Sequence, residues 1–172
     1  MTTMNITIRN EAATDAPAIE VVTAAAFLDA GHSSRTEQFI VNALRGAGQL
    51  SVSLVAENAG GQVVGHVAIS PVRISDDSPG WYGLGPVSVA PEHQGQGIGT
   101  QLVNKALAAL RDLGAAGCVV LGEPAYYGRF GFAATPALVY PGVPPQYFQA
   151  LLLNGTMPSG TVAYHAAFEA TA

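Results

Sequence analysis

Apolar side chains at Ile98, Leu102, Val103, Ala106, Leu107, Leu110 and Leu113 recur at the three- and four-residue steps of one helical face, and Gly114 follows as a stop. Elsewhere the period is shorter. Residues 6–9 alternate like an edge strand, and residues 50–57 and 63–74 read as strands around Asn58-Ala59-Gly60-Gly61, a hairpin turn signal. Residues 81–89 and 118–121 are further apolar strand runs. Residues 15–28 and 34–44 read as helices, the second with Ser34 and Glu37 at capping-box spacing. A short helix is expected over 125–130, and residues 147–153 and 161–168 are expected to close the sheet as a C-terminal hairpin. The order predicts an α/β (α+β) fold, a mixed central sheet flanked by helices.

Composition narrows this picture. A chain of 172 residues without repeats or low-complexity linkers suits one domain over 1–172. Charged residues make up 11%, against about 25% in an average domain. So sparse a charged surface leaves apolar area to cover and favours a homodimer. The net charge of −5 and the lack of a basic cluster argue against a nucleic-acid partner and suit an amine-bearing one. The N-terminus lacks the basic start and apolar core of a signal peptide, and no run approaches the ~20 apolar residues of a membrane span. Cys118 is the only cysteine, so a reducing cytoplasm is expected. It lies in Cys-Val-Val-Leu, which reads as core packing rather than a nucleophile.

Chemistry concentrates where the strand over 81–89 meets the long helix, at Val-Ser-Val-Ala-Pro-Glu-His-Gln-Gly-Gln-Gly-Ile-Gly-Thr. A glycine-rich turn opening a helix aims several backbone N–H groups at one spot, where the helix dipole also favours negative charge. A phosphate or pyrophosphate is the natural guest, and a plain tight connection is the alternative. No lysine follows the glycines, which excludes a P-loop; a dinucleotide fingerprint counted from Gly95 would end on Thr100 and lacks its later acidic residue.

The pattern that fits is Q/R-x-x-G-x-G/A, met by Gln94, Gly97 and Gly99. With it the chain resembles the GCN5-related N-acetyltransferase (GNAT) superfamily. A second element, Tyr126-Tyr127-Gly128-Arg129-Phe130-Gly131-Phe132, is similar to that family's F-Y-x-x-x-G-F segment and follows one helix and one strand later.

The resemblance implies a GNAT fold and acetyl transfer from acetyl-CoA to an amine of a small molecule or protein, by direct attack in a ternary complex. A non-catalytic acyl-CoA-binding module is the alternative. It further implies that two strands splay to admit the pantetheine arm onto the main chain of Val87, Ser88 and Val89. Gln94, Gly95, Gln96, Gly97, Ile98, Gly99 and Thr100 would hold the pyrophosphate without a metal. Tyr127, at the family's tyrosine position, would protonate the departing thiolate. Glu123 and His32 are candidate general bases. Arg129 could approach the cofactor's phosphates or form a surface salt bridge. Many relatives place an asparagine before the short helix; this chain has Gly122-Glu123-Pro124 there.

Overall fold

The computed structural model describes residues 5–28, 30 and 33–172. Among these residues the strands are β1 (Thr7–Asn10), β2 (Val52–Glu57), β3 (Val63–Ile74), β4 (Trp81–Val89), β5 (Gly117–Leu121), β6 (Leu138–Val139), β7 (Phe148–Leu152) and β8 (Gly160–Tyr164). The helices are α1 (Ala16–Phe27), α2 (Glu37–Gly46), α3 (Ile98–Asp112) and α4 (Pro124–Tyr127). The sheet runs β1-β2-β3-β4-β5-β7, antiparallel except for the parallel pair β4–β5.

Both faces of the central strands are covered, which is why β2 and β3 read as near-continuous apolar runs. On one face Val52, Leu54, Val67, Ile69, Leu84 and Val120 pack with Leu102, Val103, Ala106, Leu107 and Leu110 of α3. On the other, Val55 meets Ile19 of α1 and Val41 of α2. The β2–β3 turn closes as its residues predict, with Asn58 Oδ1 accepting from the N–H groups of Gly60 and Gln62.

Three expectations need correction. Leu113, assigned to the apolar face of α3, lies past the helix end and is exposed. The second helix begins at Glu37, not Ser34: Arg35 has a left-handed backbone, so Ser33 rather than Ser34 bonds Glu37, with Ser33 Oγ donating to Oε1 at 2.6 Å. The strands at the C-terminus do not form a hairpin. β7 pairs with β5, while β8 pairs with the end of β3, past the point where β2 stops. Two open sheet edges take those strands more favourably than they take each other. Residues 153–159 cross between them, anchored where the N–H groups of Leu153 and Asn154 donate to Ala116 O.

Candidate active site

β4 and β5 pair only from Trp81–Gly117 to Leu84–Val120. Beyond that point Leu121 pairs with Phe148 of β7, and β4 runs on alone on that side to Val89. The parting begins at a bulge: Leu84 to Val87 on β4 span three residues against two on β3, from Ile69 to Val67. An extra residue of this kind bends its strand. The expected splay is therefore present.

Register decides which groups face it. The N–H of Ala90 donates to Val64 O, so Val89 and Gly65 form a non-hydrogen-bonded pair, as do Val87 and Val67 two residues back. Val87 and Val89 thus turn their main chains into the gap. Ser88 does not. Its main chain faces His66, and its side chain is buried with Oγ unpartnered, which corrects its grouping with the two valines. Gln94 has a different part from the expected one as well: its Nε2 donates to Val89 O at 3.0 Å, folding the loop back onto the strand end.

Past Gln94 the loop is open. Among the described residues, the N–H groups of Gly95, Gln96, Gly97, Ile98, Gly99 and Thr100 make no hydrogen bond within the protein. Gly95 and Gly97 have φ of 77° and 82°, a left-handed backbone that side-chain-bearing residues rarely adopt, and the space where a Cβ would stand is empty at both. Ile98 contributes only its main chain, since its side chain is buried under α3. Unbonded amides at the start of a 15-residue helix make a site that accepts an anion.

The aromatic element closes over this end. Tyr126 Oη lies 3.3 Å from Thr100 Oγ1, and a Cβ on Gly99 would sit 3.2 Å from the same hydroxyl. Tyr126 is therefore the tyrosine that meets the glycine loop. Its position in α4 carries no local signal beyond adjacency to Tyr127. The Tyr127 ring packs edge-on against Tyr126 and Phe132 and lies over Gly122, where any side chain would strike it. That contact gives the departure from asparagine before α4 a physical reason. Burial pushes the Tyr127 hydroxyl up to about 12, so it stays a donor at neutral pH. Its hydroxyl makes no hydrogen bond among the described residues.

At the end of β5 a cleft of about 730 Å³ opens, lined by Phe27, Ser33, Glu37, Leu121, Glu123 and Tyr147 among others. Glu123 is exposed and starts α4 through its main chain, its carbonyl accepting from Tyr126 and Tyr127 N–H; its side chain makes no capping bond. Glu37, missed in the sequence, adds a second carboxylate to the cleft. His32, the other candidate base, lies outside the described residues. Cys118 is fully buried in the core, and burial pushes its thiol up, away from the thiolate a nucleophile needs. His93 is half-buried with Nδ1 sealed and unpartnered. Among the described residues, no helix is long and apolar enough to cross a membrane, and no group of three His, Cys, Asp or Glu side chains could hold a metal ion.

Comparison with known proteins agrees with this geometry. The model of the acetyltransferase (GNAT) family matches residues 18–132. The N-acetyltransferase YhbS of Escherichia coli K12 is 42% identical over 125 residues, covering 73% of this chain and 72% of that protein. Its crystal structure in complex with CoA superposes with a TM-score of 0.86 at 36% identity, over 98% of this chain and 94% of the other. A GNAT family acetyltransferase from Brucella melitensis, solved with acetyl-CoA, gives 0.85 at 51% identity over 95% and 98%. With the family model and a relative of this identity both spanning most of its length, the chain belongs to the GNAT family of acetyltransferases.

Proposed function

We propose that residues 1–172 act as one catalytic domain that moves the acetyl group of acetyl-CoA to an amine by direct attack in a ternary complex. The observation that carries this reading is the run of unbonded amides from Gly95 to Thr100, which offers a cluster of donors to the oxygens of a diphosphate. The Val87 main chain, free along the β4 edge, suits the amides of a pantetheine arm as an added strand would, and leaves the Val89 N–H for the thioester oxygen. CoA complexes of the two similar structures support the same ligand.

The acceptor enters by the cleft at the end of β5, whose apolar walls take the body of a small amine while Glu37 and Glu123 favour its cationic head. The amine attacks only as the neutral base, so an ammonium of pKa about 10.4 first gives up a proton. Glu123, exposed at the cleft, is the carboxylate placed to pass that proton to water. A C–N bond then forms, and the thioester oxygen gathers charge against the Val89 N–H. The nitrogen of the tetrahedral adduct gives up its remaining excess proton to water. The C–S bond breaks as the Tyr127 hydroxyl donates to sulfur, and the tyrosine proton is restored from solvent. Cys118, buried and protonated, supports direct attack over an acetyl-enzyme and fits a reducing cytoplasm.

Free-thiol release from acetyl-CoA across a panel of small amines and peptide amines tests the assignment. Turnover with at least one amine is expected. CoA binding without turnover on any amine would reduce the chain to a binding module. Tyr127→Phe is expected to lower kcat by roughly 10²-fold and leave acetyl-CoA affinity within about twofold; unchanged kcat removes its acid role.

A further inference from the structure

Arg129 stands with its guanidinium carbon 4.6 Å from the centroid of the Tyr126 ring. That ring is itself held edge-on by Tyr127 and Phe130, at 4.9 Å and 5.5 Å between centroids, and its hydroxyl reaches Thr100 at the first turn of α3. The three residues form a line from the glycine loop outward: Thr100, Tyr126, Arg129. The chain has only seven lysines and arginines. Arg9 and Arg45 are bound in ion pairs within the fold. Lys105 and Arg111 lie along α3, roughly 10 Å and 20 Å past its start at 1.5 Å per residue. Arg73 lies on β3 where it pairs with Ala163 of β8, and Arg35 precedes α2. Arg129 makes no ion pair among the described residues, is exposed, and is stacked on the ring whose hydroxyl reaches Thr100.

We infer that Arg129, oriented by stacking on Tyr126, neutralises the diphosphate of the bound cofactor; the inference rests on the acetyl-CoA reading above. Loop amides and a helix end supply partial charges, equivalent to about half a unit, against a ligand group that carries two full negative charges. A guanidinium adds a whole positive charge. Its face rests on the tyrosine and its N–H fork stays free for two phosphate oxygens, a geometry a lysine ammonium does not reproduce. The ribose of CoA carries a further phosphate. The contact of Tyr126 with Thr100 puts Arg129 on the diphosphate side, because Thr100 is the last residue of the open amide run. Tyr126 is then a positioning residue, acting through Arg129.

Isothermal titration of wild type, Arg129→Ala, Arg129→Lys, Tyr126→Ala and the Arg129→Ala/Tyr126→Ala pair, each with CoA and with dephospho-CoA, tests this. Arg129→Ala is expected to weaken both ligands alike, by roughly five- to tenfold at low salt, with a flatter dependence of affinity on ionic strength. Arg129→Lys recovers part of the loss. Tyr126→Ala behaves like Arg129→Ala, and the double variant is no weaker than either alone. With acetyl-pantetheine, which has no phosphate, wild type and Arg129→Ala give the same kcat/KM. Equal CoA affinity in Arg129→Ala and wild type overturns the inference. So does a loss confined to CoA and absent with dephospho-CoA, which would put the arginine on the ribose phosphate. If wild type binds neither ligand, the acetyl-CoA reading itself fails, a result distinct from either.

Discussion

At the β1–β2 edge of the sheet, Arg9 lies between Asp15, at 2.7 Å, and Glu57, at 2.8 Å. Glu11 there takes the Nε and Nη2 of Arg45 while accepting from Ser53 Oγ. At the β4–β5 parting, six successive amides and the inward main chains of two valines have almost no partners in the protein. The two regions belong to one sheet and differ in what their polar groups satisfy. The first uses charge to tie β1, β2 and α2 together. The second keeps donors unmatched on a backbone held rigid by α3 and the β3–β4 ladder, so that a ligand supplies the partner.

Substitutions separate the two regions. The largest effect is expected from Gly97→Val, where a β-branched residue meets a left-handed backbone. The strain costs on the order of 1–3 kcal/mol, and the distorted loop loses acetyl-CoA binding by more than about 10²-fold. Titration calorimetry checks this, and binding retained within a few-fold would show that the loop geometry is not what the ligand needs. Next, Glu11→Gln is expected to cost about 1–3 kcal/mol of stability by leaving Arg45 without its anion. Denaturant melts read that loss, while KM for acetyl-CoA stays unchanged; a shifted KM would mean the regions are coupled.

At neutral pH the smallest effect concerns His66. The ring is fully buried, with Nε2 2.8 Å from Ser53 Oγ, and faces Glu11, Arg45 and Ser88. Burial pushes its pKa down to about 4, below the unfolded value near 6.5. Between those values the unfolded chain binds a proton that the folded one refuses. Stability is therefore full above pH 6.5 and falls toward pH 4, by up to about 1.4 kcal/mol per pH unit. Urea melts of His66→Gln across this range are expected to show a shallower slope than wild type. Equal slopes would mean that another group carries the dependence.

Local punctuation made much of the fold legible. Asn58 and the glycines after it define the β2–β3 turn, and β3 and β4 run over the residues their apolar runs predict. The glycine loop was legible for the same reason, since left-handed turns demand particular residues. Long-range pairing was not. Nothing near Phe148 or Gly160 says that the partner of β7 is β5, because sheet edges choose it. Ser88 differs from its neighbouring valines only in register, and the bulge opposite Ala68 sets that register. Glu37 reaches the cleft only because Arg35 turns the chain left-handed ahead of α2, a conformation its residue type does not announce.

The parting of β4 from β5 also limits what can attach there. An exposed strand edge invites any passing chain to extend the sheet. Here, among the described residues, Val87 and Val89 turn their main chains outward beyond the bulge, and the Gln94 side chain already occupies the last carbonyl. Such a stub is too short to template a neighbouring polypeptide, yet long enough for a slender linear molecule carrying one or two amides. The same economy of open backbone that admits a cofactor arm thus leaves this stretch of β4 little with which to pair a second chain.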